Sequence, residues 1–159
     1  MPIETIEDAE RFIKRWMNDR GYLMGELSPD GITFQLNGKF DTGVAFSIVH
    51  PKTLKRAFIV VAQIDIHPSH MKALKDMNPE DLNRFLGSLK RDLFFTIPTF
   101  TFIPHGASIP NAVQFNKQIS FDELTEGKLY NNVEYTCRCV LWVAMALTGK
   151  FGQPVEGES

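Results

Sequence analysis

An alternating stretch between residues 32 and 66 places the strongest constraint on how this chain can fold. Its first run, Ile32–Leu36, alternates apolar and polar side chains with a period of two, which is typical of a strand with one buried face. Asn37-Gly38 follows, and this dipeptide favours the positive φ angles of a type I′ turn. A second alternating run, Phe40–Ile48, comes next. The pattern therefore predicts a hairpin that turns at Asn37-Gly38.

The third run of this stretch, Phe58–Ile66, is apolar on both of its faces. Val60 and Ala62 fall on one face, and Ile59 and Val61 fall on the other. Strands with two apolar faces lie in sheet interiors. We therefore predict that this strand is central and is at least partly covered on both sides, so that the three runs form an antiparallel meander.

Three helices are predicted around the meander from their caps and apolar stripes. The first runs from Thr5 to Arg20, the second follows the cap Asn78-Pro79 and reaches Phe94, and the third begins at Ser120 with a capping box to Glu123 and ends at Gly149. Two further short strands are predicted between the last two helices, Thr99–Ile103 and Ala112–Ile119.

The order of these elements predicts a single α+β domain over residues 1–150, followed by a mobile tail over residues 151–159. The antiparallel sheet is expected to hold five to six strands, in the order α-β-β-β-α-β-β-α. This order resembles the type III secretion chaperone-like fold of bacterial YbjN-type proteins and of archaeal proteins of unknown function. The resemblance rests on the capped helix Thr5–Arg20, the Ile32–Ile66 meander and the helices Asn78–Phe94 and Ser120–Thr148. It implies a domain that binds polypeptide, often as a homodimer.

Charge and hydropathy argue against two classes of partner. The chain has 17 Lys and Arg against 19 Asp and Glu, and no run of basic residues, so we expect it to bind neither nucleic acid nor anionic lipid. Its longest apolar run, Val140–Leu147, is less than half of the roughly 20 residues that span a bilayer. Met1–Glu4 lacks the plan of a signal peptide, which favours the cytoplasm.

Two cysteines, Cys137 and Cys139, lie two positions apart in the last predicted helix. This spacing directs their side chains to different faces, so a disulfide between them is not expected. We predict that both are buried, reduced thiols.

One polar cluster fits a metal site. Asp65 and His67 fall on the same side of an extended strand, and His70 folds back toward them if a turn begins at Pro68. One carboxylate and two imidazoles suit zinc or another divalent ion. The other interpretation is a helix lead-in with solvated histidines. A small metal-binding domain or metal-dependent enzyme that uses Asp65, His67 and His70 is therefore the alternative hypothesis.

Patterns of known catalytic motifs are absent from the sequence. His105 and Ser108 share a loop, but there is no Gly-x-Ser-x-Gly to hold a nucleophile, and no glycine-rich phosphate motif occurs. We therefore assign no catalytic residue and expect no cofactor.

Phe100 and Phe102 are the candidate partner-binding residues. They alternate with threonines in a late strand between prolines, which favours a position at the edge of the sheet. Their rings either meet a partner or are covered by the helix Asn78–Phe94. We predict a non-enzymatic interaction module that binds a protein or polypeptide partner and pairs with a second copy of itself through a sheet edge or face.

Overall fold

The computed structural model describes residues 2–156. Within them lie four α-helices: α1 (Ile6–Asp19), α2 (Pro68–Asp76), α3 (Pro79–Phe94) and α4 (Glu126–Phe151). Six strands accompany them: β1 (Leu23–Leu27), β2 (Ile32–Lys39), β3 (Ala45–Pro51), β4 (Ala57–Asp65), β5 (Thr99–Ile103) and β6 (Ala112–Ser120). None of the helices in this part of the chain has both the length and the apolar character needed to cross a lipid bilayer.

All six strands join one antiparallel sheet in the order β1-β2-β3-β4-β6-β5. β4 lies in the interior, where all nine of its residues pair with β6. The α+β class, the strand number and the interior place of β4 are confirmed. β1 and α2 are additional elements that precede β2 and α3.

The helices pack on one face of the sheet and form a single core with it. α4 crosses β4 and β6 and buries Leu129 and Val133, and α1 buries Met17 over β2. On the opposite face of β4, Ile59 and Val61 are only half-buried. Helices of residues 2–156 cover one face of β4 only, because α2 and α3 return to the side that α1 and α4 occupy, and the predicted cover of the second face is limited to the partial burial of these two side chains.

The hairpin between β2 and β3 turns later than Asn37-Gly38. β2 continues through both residues, and the turn instead contains Gly43, whose φ of 86° favours glycine. A Cβ atom at position 38 would lie 2.7 Å from Met17 Cε and 2.8 Å from Phe46 Cζ. Gly38 therefore serves the close packing of α1 on the sheet, and the predicted turn position is wrong.

The predicted starts of the first two long helices are confirmed by their caps. The Thr5 hydroxyl accepts the Asp8 N–H at 3.1 Å, and the Asp8 carboxylate accepts the Thr5 N–H at 3.1 Å. The Asn78 side chain likewise accepts the Asp81 N–H at 2.9 Å. These reciprocal bonds satisfy backbone donors that the first helical turn leaves free.

Both predicted ends of the C-terminal helix are wrong. Ser120 caps only a 3₁₀ turn, Phe121–Glu123, because the next residue, Leu124, has an extended backbone. Thr125 caps α4 instead. The helix then continues through Gly149 to Phe151 and ends at Gly152, whose φ is 81°.

The first residues of the predicted tail pack against α2 and α3. The Phe151 ring lies 5.9 Å from the His70 ring and 5.7 Å from the Phe85 ring. Further on, the Val155 N–H donates to the Ser69 hydroxyl at 3.1 Å. Residues 157–159, the end of the predicted tail, lie outside the described residues.

The two cysteines of α4 are confirmed as buried free thiols. Burial raises the pKa of Cys137 to about 12. Burial also raises the pKa of Cys139, although the Thr96 hydroxyl offsets part of this effect. Because the thiolate is the reactive form, neither side chain is an activated nucleophile at neutral pH.

Candidate functional site

β5 forms one edge of the sheet and carries the two phenylalanines singled out in the sequence. Its five residues pair with β6 alone, so the backbone groups on its outer side pair with no strand of the described chain. Pro98 and Pro104 flank it, and proline limits how far such an edge extends. The alternation along the strand turns Phe100 and Phe102 toward the helical layer, where both contact the core.

The rings of Phe100 and Phe102 belong partly to the core and partly to the surface. Their centroids are 5.7 Å apart, and both side chains are half-buried. Lys90 of α3 extends over them, with its Nζ 5.0 Å from the centroid of Phe102. This distance is typical of a cation–π contact. α3 thus covers part of the two rings and leaves the remainder accessible.

A cleft of about 440 Å³ opens beside these rings. It is lined by Lys90, Phe100, Thr101, Phe102, His105, Gly106 and Ala107. Gly106 has a φ of 79°, which lets the loop after β5 turn sharply at the cleft. The lining contains a lysine and a histidine but no carboxylate. It therefore suits an apolar group that is accompanied by negative charge.

Three apolar side chains stand exposed in the connection that leads into β5. Phe94, Phe95 and Ile97 are 76%, 85% and 55% exposed, and the two phenylalanine rings lie 5.6 Å apart. Thr96, between them, is half-buried and donates its hydroxyl to the Leu93 carbonyl at 2.6 Å. Large apolar side chains clustered on a surface mark interaction sites. This cluster extends the apolar surface at the start of the β5 edge.

The structure does not assemble Asp65, His67 and His70 into a ligand set. His67 caps α2, where its Nδ1 accepts the Ser69 N–H at 3.1 Å. His70 is buried, and its Nε2–H donates to the Gly152 carbonyl at 2.9 Å. Asp65 is exposed. Residues 2–156 contain no group of three His, Cys, Asp or Glu side chains placed to hold a metal ion. The predicted site is not formed, because the ring of His67 caps the start of α2 and the ring of His70 bonds the residue that ends α4.

Lys90 and His105 are polar cleft residues that the sequence analysis did not connect with Phe100 and Phe102. Lys90 belongs to α3 and His105 to the β5–β6 loop, and only the fold brings them to one cleft. The spacing of Lys90 offers a weak signal in retrospect. It lies four residues after Leu86 and three before Leu93, both buried, and so borders the apolar stripe of the helix. His105 has no comparable signal.

Comparison with known proteins places the chain in a family and supports its fold. A family described as uncharacterized conserved protein, DUF2299, matches residues 9–147. The crystal structure of an uncharacterized protein from Methanothermobacter thermautotrophicus is similar, with a TM-score of 0.84 and 19% identity over 90% of this chain and 99% of that one. YbjN from E. coli aligns with a TM-score of 0.47 and 12% identity over 88% and 89% of the two chains.

The first of these neighbours shows a shared fold and no more, since its sequence is distant. The second is too weakly similar to carry an argument about function. The first is an archaeal protein of unknown function, one of the groups whose fold the sequence resembles, and it confirms that resemblance in fold. No curated protein matches the sequence. Since the family match covers most of its length, the chain belongs to the DUF2299 family.

Proposed function

We propose that this protein is a non-enzymatic interaction module that binds an extended polypeptide segment along the outer edge of β5. One observation supports this most directly: an edge strand with an unpaired outer side borders a cleft of about 440 Å³. Partner segments commonly add to such edges as an extra strand, with main-chain hydrogen bonds supplying affinity. Chaperone-like capture of an unfolded segment is one form of this binding.

The prolines around β5 define the length of the segment that fits. Pro98 and Pro104 bound a strand of five residues, so the paired segment is expected to span roughly 17 Å at about 3.3 Å per residue. Alternate side chains of an added strand face the helical side of the sheet. Those side chains lie beside Phe100 and Phe102 in the cleft, where an apolar group covers the accessible part of the rings. Such burial stabilises by about 25 cal/mol per Å².

Lys90 gives the cleft a preference for negative charge. Among the ion pairs formed within residues 2–156, none involves Lys90. Its ammonium group is therefore available to a carboxylate of a bound segment, and His105 offers a second polar contact. An exposed pair of this kind contributes up to about 1 kcal/mol. The preferred segment is accordingly extended, partly apolar and acidic.

Fluorescence anisotropy with two labelled octapeptides tests the proposal. In the first peptide valine alternates with glutamate, and in the second lysine replaces every glutamate. We expect saturable binding of the acidic peptide and roughly fivefold weaker binding of the basic one, since 1 kcal/mol corresponds to about that ratio. A third peptide with a central proline removes a main-chain donor and is expected to lose binding.

Charge reversal at one cleft residue supplies the decisive variant. Lys90→Glu is expected to reverse the preference between the acidic and the basic peptide. The matched control is Lys128→Glu, at an exposed position near the start of α4. The neighbouring Tyr130 packs on Phe40, toward the other end of the sheet. If neither peptide binds at about 1 mM, or if Lys90→Glu and Lys128→Glu change binding equally, the proposal is wrong.

A further inference from the structure

The uncovered face of the sheet has the layout of a protein interface. Val49, Ile59 and Val61 lie at its centre on the paired strands β3 and β4, and all three are half-buried. Leu27, on the edge strand β1, adds an apolar side chain that is 54% exposed. Around them lie amide and hydroxyl side chains. An apolar centre with a polar rim is the usual composition of an interface.

The polar side chains of this face bond laterally to one another. Asn37 Oδ1 accepts hydrogen bonds from the Ser47 hydroxyl at 2.7 Å and the Gln35 amide at 3.0 Å. Toward the other edge of the sheet, the Thr99 hydroxyl donates to Asn116 Oδ1 at 2.7 Å. Polar groups that are already bonded lose less on leaving water than free ones do. Covering this face therefore costs less than its amide content alone would indicate.

Charge on this face is confined to its margins. Lys39, at the end of β2, and Asp65, at the end of β4, are its charged strand residues. The centre is neutral, so two identical copies meet there without like-charge repulsion. A strongly charged partner finds no complementary field on it. Neutrality of this kind favours a second copy of the same chain, placed by a two-fold axis.

The size of the face is sufficient for a reversible dimer. Six strands at about 4.8 Å spacing and strand lengths of roughly 20 Å give a projected area of about 500 Å² per copy. Two such faces together bury roughly 1,000 Å², counted as flat surfaces without the side chains that project from them. This area is the lower bound for a specific interface. We therefore propose that the open face, centred on Val49, Ile59 and Val61, packs against the same face of a second copy. This arrangement leaves both β5 edges at the periphery.

Light scattering coupled to size exclusion measures the mass at protein concentrations from about 500 µM down to about 1 µM. This range is chosen to include the dissociation constant of a weak dimer, which is what an interface of this size predicts. We expect the wild-type mass to approach twice the 18.1 kDa of the chain at high concentration and to fall on dilution. Val61→Lys and Gln118→Lys each place a charge on the face, and each is expected to weaken dimerisation at least tenfold. Asn131→Lys, at an exposed position of α4 in the helical layer, is the matched control.

Far-ultraviolet circular dichroism establishes that each variant is folded. Gln118 is exposed, so Gln118→Lys decides the question if Val61→Lys unfolds. Loss of the dimer in the face variants, together with its retention in Asn131→Lys, is the supporting result. A steady mass of 18.1 kDa at every concentration, a dimer that survives Gln118→Lys, or equal weakening in Asn131→Lys would overturn the proposal.

Discussion

His50 is a histidine in an apolar environment, and replacing it by phenylalanine should stabilise the fold. The side chain is fully buried at the end of β3. Its ring stacks on Phe34 at 5.7 Å and lies 6.0 Å from Phe121. Neither ring nitrogen has a hydrogen-bond partner among the described residues. The environment thus offers aromatic contacts on both sides and nothing polar.

The size of the effect follows from two opposing contributions. Each buried polar group without a partner costs about 1–3 kcal/mol, so the two nitrogens of His50 together cost roughly 2–6 kcal/mol. Phenylalanine is bulkier than histidine, and added bulk in a packed core costs about 1–3 kcal/mol. The midpoints of these ranges are about 4 and about 2 kcal/mol, so we expect His50→Phe to raise the free energy of unfolding by about 2 kcal/mol. This corresponds to roughly 4–8 °C in Tm.

Urea denaturation followed by circular dichroism, together with thermal melts, measures this change. His50→Leu, which is smaller, separates overpacking from polar burial. His105→Phe makes the same chemical change at an exposed loop position and is expected to stay within about 0.5 kcal/mol of wild type. If both His50 variants lose more than about 1 kcal/mol, the imidazole nitrogens are satisfied in solution and the reasoning fails.

Three further predictions concern the core, the thiols and the first helix. Phe58→Ala, at a fully buried position near the start of β4, should lose about 3–5 kcal/mol in urea melts, and Phe95→Ala, at an 85% exposed position, should lose almost none; equal losses would contradict the burial of Phe58 in the core. Cys137, with its pKa raised to about 12, should react slowly with a thiol reagent at pH 8 and quickly in denaturant, so fast native labelling would place it at the surface. Backbone and side-chain hydrogen bonds from Thr5 lower the pKa of Asp8, so its contribution to stability is present above the unfolded value near pH 4 and is lost as pH falls through the lower folded value. The difference in stability between wild type and Asp8→Ala should therefore shrink as the pH falls through the lowered pKa of Asp8, and an unchanged difference at the lowest pH would refute this.

The parts of the fold that neighbouring residues determine were predictable from the sequence. The capping box formed by Thr5 and Asp8, and the N-cap at Asn78, each depend on hydrogen bonds between residues that are three positions apart. Alternation likewise identified β2 and β5, because strand periodicity reports which side chains share a face. The apolar character of both faces identified β4, but it does not report what covers each face. The second face of β4 was predicted to be at least partly covered, and the structure leaves its Ile59 and Val61 half-buried.

Features that depend on distant residues were not predictable. Gly38 resembles a turn residue in isolation, but its role comes from Met17 and Phe46, which pack against it. The side chains of His67 and His70 are close in sequence. Even so, the ring of His70 turns toward Gly152, which is 82 positions away. The cleft shows the same limit, since Phe100 and Phe102 were identified from a local pattern whereas Lys90 and His105 join them only in the fold.

The two edges of the sheet differ in a way that limits strand addition to one of them. The pairing of β1 with β2 shifts register between Leu23 and Gly25, as in a β-bulge, and Glu26 of β1 forms an ion pair with Lys14 of α1. β5, by contrast, pairs with β6 in an unbroken register. A bulge twists an edge away from further pairing. A continuous sheet that runs through many copies requires two free edge strands on every copy, so that each copy pairs with one neighbour at each edge. Within residues 2–156 each copy has one edge of unbroken register, so a segment added at β5 finds no second edge of that kind at the other end of the sheet. Strand addition from edge to edge therefore cannot continue from copy to copy as a ribbon.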